Sequence, residues 1–263
     1  TPVVATLHNP KPRRIGHYRI REAVWMFVLR FCVRKIISVS KGIEEAYQST
    51  LPKSKMETVL NAVNIPEPLS DDERKKIRAE ITDNPQSKLI LCVGRLVAGK
   101  GLSELIQAFA HIREKISDAL LVIVGEGSIE EDLVSEARLL GILEQVCFLG
   151  YRNDIQNLLR AGDVYVSASY SEGMSIALIE AMAVGLPIVT TNVGEAPYLL
   201  DNQRGVLIPP RDVEAIAKGI IDLITDPEEM RRMGSAAREY AKNHLSPSVW
   251  LSQLMIVYHK AIG

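Results

Sequence analysis

The chain has 263 residues, of which 47% are hydrophobic and 24% are charged, and its formal net charge is −1 at pH 7. This composition is typical of a globular protein with one large domain or two, so it excludes a disordered chain and does not indicate nucleic acid as a partner. The three cysteines, Cys32, Cys92 and Cys147, lie far apart without C-x-x-C spacing, so we predict neither a disulfide framework nor a zinc site, and a cytoplasmic location fits.

The first residues, PVVATLHN, predict a buried strand that ends in a polar loop at His8 and Asn9. A lone histidine at such a position is more often structural than functional, so its interpretation depends on the rest of the chain. The sequence starts at Thr1 within this strand pattern, with no signal peptide before it, and we therefore expect the beginning of the protein to be missing.

A strongly basic segment follows, at residues 11–41. Residues 1–41 contain nine Lys and Arg and one acid, Glu22, so they carry +8 against −9 for the remainder. The segment is either a solvated face or a surface that attracts an anionic membrane or a phosphorylated acceptor. Its apolar run, AVWMFVLRFCVRKIISV, is interrupted by Arg30 and Arg34, which excludes a membrane span of ~20 residues. We predict a helix that is largely buried in protein and leads into a short strand.

After a Pro-rich connector, NIPEPLSDDE, six apolar runs alternate with helix-like stretches: LILCVG, LLVIVG, VCFLG, VYVSAS, PIVTTN and GVLIPP. This pattern predicts an α/β fold with a parallel sheet that has helices on both faces and binds ligands at the carboxyl ends of its strands. Only three strand candidates precede the connector. We predict that residues 1–66 are the C-terminal part of one Rossmann-like domain, that residues 67–245 form a complete second one, and that residues 246–263 contain a helix packing back on the first.

The stretch VGRLVAGKG, from Val93 to Gly101, is one residue short of the P-loop pattern G-x-x-x-x-G-K-[ST]. The missing hydroxyl at position 101 is a Mg²⁺ ligand in P-loop proteins, so a P-loop ATPase is an alternative that the sequence disfavours. Arg95 adds a permanent positive charge, and Lys100 stands just before a predicted helix that begins at about Leu102. Two cations at a helix N-terminus predict a diphosphate site that needs no metal ion.

The stretch SEGMSIALIEAMAVGLP, from Ser171 to Pro187, predicts a small loop followed by a helix. Gly173 lets the backbone approach a ligand closely, and the helix N-terminus again favours phosphate. Glu180 lies within an otherwise apolar helix, where a carboxylate is unfavourable unless it is paired. Its partner is either a cation of the protein or a vicinal diol such as that of ribose.

A third glycine-containing stretch, VGEGSIEED, has half of the dinucleotide-binding fingerprint after a predicted strand. The position of the third glycine is occupied by Glu130, which would repel a pyrophosphate. We therefore do not predict NAD binding.

Together, VGRLVAGKG, CFLGY and EGMSIALIEAMAVGLPIV resemble the retaining glycosyltransferases of family 4, also described as glycosyl transferases group 1, over nearly the whole chain. The resemblance implies the GT-B fold: a doubly wound, Rossmann-like C-terminal domain plus the remnant of a second Rossmann-like domain. It also implies a metal-independent hexosyltransferase (EC 2.4) that needs no cofactor. The donor would be a nucleoside-diphosphate sugar, UDP- or GDP-linked, and the acceptor group a hydroxyl of a sugar or of a lipid-linked acceptor. The configuration of the transferred sugar would be retained. Such reactions belong to polysaccharide or glycolipid biosynthesis, in the cytoplasm or at the inner face of the membrane.

The resemblance also assigns roles to individual residues. It implies four catalytic residues: Glu172, His8, Arg95 and Lys100. It implies a donor site formed by Gly94, Arg95, Lys100, Tyr151, Glu172, Gly173, Met174, Ser175 and Glu180. In this assignment Arg95 and Lys100 clamp the diphosphate and Glu180 binds the ribose. The residues from 173 to 175 contact phosphate and sugar through their backbone, Tyr151 lines the base pocket, and Glu172 and His8 lie near the transferred sugar.

One segment departs from the family pattern. The usual Gly-Gly-x-Pro-Glu is replaced by Gly194-Glu195-Ala196-Pro197-Tyr198, so sugar contacts made there are not carried over. Two further alternatives stay open, a sugar-nucleotide epimerase with the same fold and a chain that binds the donor but is catalytically incomplete.

Overall fold

The computed structural model describes residues 1–8 and 19–263. Asn9 of the predicted loop and Lys11, Arg13 and Arg14 of the basic segment lie outside the described residues.

The first part of the chain forms a small parallel sheet. Its strands are β1 (Val4–Leu7), β2 (Lys35–Ser38) and β3 (Met56–Thr58), in the spatial order β1-β2-β3. Helix α1 (Arg19–Phe27) continues into a π-helical turn (Val28–Cys32), and α2 (Lys41–Tyr47) follows β2. Ser40 caps α2, because its side chain accepts a hydrogen bond from the Ile43 N–H at 3.1 Å.

The prediction that the apolar helix is largely buried is wrong. Leu29 is fully buried, but Val24, Trp25, Phe27 and Phe31 are exposed. The physical reason is that, of residues 23–33, only Met26, Leu29 and Val33 pack against the core cluster of the described residues. The predicted short strand after the helix is present as β2.

The second part forms a parallel sheet with the spatial order β6-β5-β4-β7-β8-β9. Each of the six apolar runs contains one of its strands, so the predicted parallel sheet is confirmed. The strands are β4 (Lys88–Val93), β5 (Ala119–Val124), β6 (Val146–Phe148), β7 (Val164–Ser167), β8 (Ile188–Thr191) and β9 (Val206–Ile208). The chain adds β5 and β6 on one side of β4 and then crosses to β7 on the other. The point where the strand order reverses therefore lies between β4 and β7.

Helices cover both faces of this sheet. They are α3 (Asp71–Ala79), α4 (Leu102–Lys115), α5 (Glu130–Leu139), α6 (Ile155–Ala161), α7 (Ile176–Val184), α8 (Ala196–Leu199), α9 (Val213–Ile224) and α10 (Pro227–His244). Along β4, Leu89 and Leu91 belong to one core cluster and Ile90 and Cys92 to the other. A strand that buries both faces explains why the run LILCV is apolar without alternation.

The last helix, α11 (Pro247–Ile262), packs against the first sheet. Its Val257 forms a small buried cluster with Ile37 of β2 and Val59, which follows β3. No helix within the described residues is long and apolar enough to span a bilayer.

Candidate functional site

A narrow cleft lies at the carboxyl ends of β4 and β7, at the point where the strand order reverses. We call it the β4–β7 cleft. Twelve residues line it: Cys92, Val93, Gly94, Arg95, Leu96, Lys100, Leu102, Ile123, Ser167, Ser169, Glu172 and Ser175. Five of the nine predicted donor-site residues are therefore brought together: Gly94, Arg95, Lys100, Glu172 and Ser175.

The loop that carries Lys100 requires glycine at position 101. Gly101 has φ +63°, and a Cβ there would lie 2.1 Å from the carbonyl oxygen of Ala168, which follows β7. The positive φ disfavours a side chain at this position, and the close carbonyl excludes one. The hydroxyl that a P-loop ATPase requires therefore does not fit in this loop.

Lys100 and Glu172 form an ion pair across the cleft. The Lys100 Nζ lies 2.5 Å from Glu172 Oε1, and the Ser169 hydroxyl donates to the same oxygen at 2.8 Å. The two side chains are 26% and 19% exposed. The carboxylate is thus held between one cation and one hydroxyl, and its charge is balanced by Lys100.

Arg95 differs from Lys100 in having no protein partner. Its side chain is exposed and makes no ion pair or hydrogen bond with any residue that the structure describes. A guanidinium at the rim of a cleft, beside a balanced ion pair, leaves the site with an excess of positive charge. Such an arrangement can bind an anion with paired oxygens, such as a phosphate.

The loop between β7 and α7 is fixed by backbone contacts on both sides. Ser175 caps α7 by accepting a hydrogen bond from the Leu178 N–H at 3.3 Å. The Gly173 carbonyl accepts a hydrogen bond from the Glu195 N–H at 3.0 Å. A Cβ on Gly173 would lie 3.1 Å from the carbonyl oxygen of His8. The end of β1 therefore meets this loop, although the exposed His8 does not line the β4–β7 cleft.

Gly173 and three other predicted residues also lie outside the cleft lining. Met174 is buried, and its sulfur accepts a hydrogen bond from the Asn61 N–H at 3.3 Å, so its side chain belongs to the core. Tyr151 follows β6 and is 75% exposed. Glu180 is half-buried on α7 and makes no ion pair or hydrogen bond with the part of the chain that the structure describes. Burial raises the pKa of the Glu180 carboxyl, and no cation of the described residues offsets that effect.

The glycines of VGEGSIEED are explained by packing rather than by a dinucleotide. A Cβ on Gly125 would lie 1.9 Å from the Gly94 carbonyl oxygen, and one on Gly127 would lie 2.0 Å from that of Leu96. The Gly125 N–H also donates to the Gly150 carbonyl at 2.8 Å. These contacts hold the loop after β4 against the ends of β5 and β6.

Tyr170 is a structural support that sequence reasoning missed. Its N–H donates to the Gly99 carbonyl at 3.0 Å, and its hydroxyl donates to Glu104 Oε1 at 2.5 Å. The Arg211 guanidinium lies 4.4 Å from the centre of the ring. Tyr170 thus ties the Glu172 loop to the Lys100 loop. No sequence pattern indicates the contact between Arg211 and Tyr170.

The titratable groups of the cleft do not suggest a nucleophilic cysteine or a metal centre. Burial raises the pKa of the Cys92 thiol to about 12, so this cysteine stays protonated at neutral pH. In residues 1–8 and 19–263, no group of three or more His, Cys, Asp and Glu side chains is arranged to hold a metal ion.

The family described as glycosyl transferases group 1 matches residues 73–240, which include the β4–β7 cleft, Glu180 and Tyr170. The chain belongs to this family. An uncharacterised glycosyltransferase of Methanocaldococcus jannaschii is 29% identical over 95% of the chain, and the chain spans 65% of that relative's length. A GDP-mannose-dependent α-(1-6)-phosphatidylinositol monomannoside mannosyltransferase of Mycolicibacterium smegmatis is 32% identical over 89% of the chain and is covered to 68%.

Two solved structures have the same fold. HepE of Anabaena, in complex with UDP and glucose, has a TM-score of 0.87 at 24% identity, with 98% of this chain and 71% of that chain covered. WaaG, a glycosyltransferase involved in lipopolysaccharide biosynthesis, has a TM-score of 0.81 at 21% identity, with 97% and 73% covered. The predicted GT-B fold, with its two parallel sheets, is confirmed.

Proposed function

We propose that this protein transfers a hexosyl group from a nucleoside-diphosphate sugar to an acceptor hydroxyl, with retention of configuration and without a metal ion. The observation that carries the proposal is the meeting of Arg95, Lys100 and Glu172 in one cleft at the carboxyl ends of β4 and β7. Residues 67–245 would form the donor domain, and residues 1–66 with the helix in 246–263 would belong to the acceptor side.

In this proposal Arg95 and Lys100 bind the diphosphate. As the glycosidic bond breaks, negative charge grows on the β-phosphate, and fixed cations stabilise that charge more than they stabilise the ground state. The N-terminus of α4, which starts at Leu102 in the cleft lining, adds positive potential from the helix dipole. Permanent charges on the protein would thus do what Mg²⁺ does in a P-loop enzyme.

The transfer step involves the sugar carbon that bears the diphosphate. The acceptor oxygen forms a bond to this anomeric carbon on the face from which the β-phosphate oxygen departs, and the acceptor proton passes to that phosphate oxygen. Glu172 would lie near the sugar, with the backbone of residues 173–175 beneath it and His8 approaching from the first sheet. The support for this geometry is the short distance between the His8 carbonyl and the Cβ position of Gly173.

The nucleoside would extend away from the diphosphate along α7 and β6. Glu180 is half-buried without a partner among the described residues, and a ribose diol would donate two hydrogen bonds to it. Tyr151, exposed after β6, would contact the base. The named donors among the relatives are GDP-mannose for the mycobacterial enzyme and UDP-glucose for a complex of HepE, so we propose a UDP- or GDP-hexose.

For the acceptor we propose a sugar or a lipid-linked sugar used in polysaccharide or glycolipid synthesis. The mycobacterial relative is named for a phosphatidylinositol mannoside, and WaaG for lipopolysaccharide biosynthesis. Contact with the inner face of a membrane through residues 11–41 would bring the enzyme to such an acceptor. The exposed Trp25, Phe27, Arg30 and Phe31 support this part of the proposal.

The test is a screen of UDP-, GDP- and ADP-sugars by thermal shift, followed by product analysis. A ligand at ~100 times its Kd adds ~2.7 kcal/mol to stability, which is easily measured. We expect one nucleotide series to stabilise the protein and, with an acceptor present, to give a glycoside of retained configuration. Stabilisation by none of them would contradict the proposal. An epimerised sugar nucleotide formed without acceptor would favour the epimerase alternative.

A further inference from the structure

Glu195 is a buried carboxylate that forms no ion pair with the residues that the structure describes. It is 1% exposed, and its Oε2 accepts a hydrogen bond from the Gly42 N–H at 3.4 Å. Its Oε1 is buried with no hydrogen-bond partner in the described part of the chain. Burying a carboxylate in this way is unfavourable, so the residue calls for an explanation beyond packing.

The same short segment makes two more contacts with α2. The Tyr198 hydroxyl donates to Glu45 Oε1 at 3.1 Å, and the Lys41 ammonium lies 5.1 Å from the centre of the Tyr198 ring. Glu195 and Tyr198 are also the two positions at which the segment departs from the Gly-Gly-x-Pro-Glu pattern. Both residues that differ from the family pattern therefore contact α2, through partners 153 residues away in sequence.

On its other side, Glu195 reaches the loop that carries Glu172. Its N–H donates to the Gly173 carbonyl at 3.0 Å. A Cβ on Gly194 would lie 2.5 Å from the Glu172 carbonyl oxygen, so the two loops pack backbone against backbone. A narrow crevice between them is lined by Glu172, Ser175 and Glu195, among others.

We propose that Glu195 and Tyr198 form a latch that holds α2 against the loop of Glu172, and that Glu195 is a positioning residue for the transfer reaction. The inference rests on the proposed function for its catalytic consequence, but the latch itself does not. Arg95 and Lys100 belong to the loop after β4, which the latch does not touch. Opening the latch therefore leaves the two cations that bind the diphosphate in place and misplaces the first sheet, including His8, relative to the sugar.

The experiment compares Glu195→Ala, Glu195→Gln and Tyr198→Phe with the unaltered chain. Hydrogen exchange of the peptide spanning 41–47 reports on the latch directly. We expect Glu195→Ala to exchange faster there by on the order of tenfold, which corresponds to one lost hydrogen bond, and Tyr198→Phe to show a smaller increase. Glu239→Ala and Tyr258→Phe, at exposed positions on α10 and α11, serve as matched controls and should leave this peptide unchanged.

Kinetics separates positioning from general damage to the fold. Glu195→Ala is expected to keep the KM for the donor within about twofold while kcat falls by about tenfold or more. Glu195→Gln keeps the acceptor oxygen for the Gly42 N–H and is expected to restore most of kcat. Unchanged exchange in Glu195→Ala would overturn the latch, and faster exchange with an unchanged kcat would overturn the positioning role. If the unaltered chain binds no nucleotide sugar, the proposed function fails, whereas the exchange experiment still decides whether the latch exists.

Discussion

The ion pair between Lys100 and Glu172 allows a quantitative test of the diphosphate site. Lys100→Met removes the ammonium and keeps an unbranched side chain of similar length. The diphosphate then loses a charge-assisted hydrogen bond worth ~1.5–3 kcal/mol. The variant also removes the cation that balances the Glu172 carboxylate, which is 19% exposed. Among the described residues, the Ser169 hydroxyl then remains as its hydrogen-bond donor.

The unbalanced carboxylate adds a repulsion to the lost attraction. Two unit charges 4 Å apart interact by ~4 kcal/mol at an effective dielectric constant of ~20. The Glu172 carboxylate and the diphosphate lie farther apart, so we expect a repulsion of ~1 kcal/mol between them. Lys100→Met should therefore weaken binding of the nucleoside diphosphate by about 2.5–4 kcal/mol, which is roughly 60- to 700-fold. The double variant Lys100→Met/Glu172→Gln removes the repulsion and should recover ~1 kcal/mol, about fivefold.

Isothermal titration calorimetry with UDP or GDP, whichever series binds, measures these affinities as a double-mutant cycle. Lys115→Met, at the exposed far end of α4, is the control for loss of one positive charge and should change the affinity less than twofold. Wild-type affinity in Lys100→Met would refute the diphosphate site. A double variant that binds no more tightly than Lys100→Met would refute the reasoning about charge balance.

Three further predictions concern stability. Gly101→Ser is expected to lower Tm by ~5–10 °C, because its new Cβ would lie 2.1 Å from a backbone carbonyl oxygen and the residue would keep a positive φ. Gly141 also has a positive φ, +69°, but open space around it, so Gly141→Ser should lower Tm less. Burial raises the pKa of the Glu180 carboxyl in the folded protein. Its contribution to stability is therefore fully present below the unfolded pKa of ~4.3 and is lost as pH rises through the higher folded pKa. Glu180→Gln should therefore match the unaltered chain at pH 4 and exceed its free energy of unfolding at pH 8. Tyr170→Phe loses its hydroxyl hydrogen bond to α4 and should destabilise by ~1 kcal/mol, whereas Tyr258→Phe should be neutral.

Chemical denaturation at the stated pH values and calorimetric Tm measurements check these expectations. Equal Tm losses for Gly101→Ser and Gly141→Ser would show that the close carbonyl does not matter. A stability difference for Glu180→Gln that is the same at pH 4 and pH 8 would contradict the burial effect. If Tyr170→Phe and the unaltered chain have the same free energy of unfolding, the Tyr170 hydroxyl does not stabilise the two loops.

The fold was predictable where local pattern and tertiary environment agree. The run LILCV predicts a strand buried on both faces, and Leu91 and Ile90 do lie in separate core clusters on opposite faces of β4. The helix at Trp25 and Phe27 is present as predicted, but its burial was predicted wrongly, because hydrophobicity along one segment does not indicate how much of it the rest of the described chain covers.

The site was predictable to the level of motifs but not of contacts. The loop patterns assign Arg95, Lys100 and Glu172 to the ends of strands, yet the ion pair of Lys100 requires β7 to lie beside β4 although β5 and β6 intervene in sequence. The buried Glu195 could be noticed only as a departure from a family pattern. Its contact with α2 depends on how distant segments pack, and no local signal in the sequence encodes that.

The central claim is that Arg95 and Lys100 bind the diphosphate of the donor. A crystal structure of the protein with a bound nucleoside-diphosphate hexose tests it most directly. We predict phosphate oxygens within hydrogen-bond distance of the Arg95 guanidinium and the Lys100 ammonium, with no metal ion between the phosphates. Phosphates bound away from both side chains, or held by a metal ion, would contradict the account.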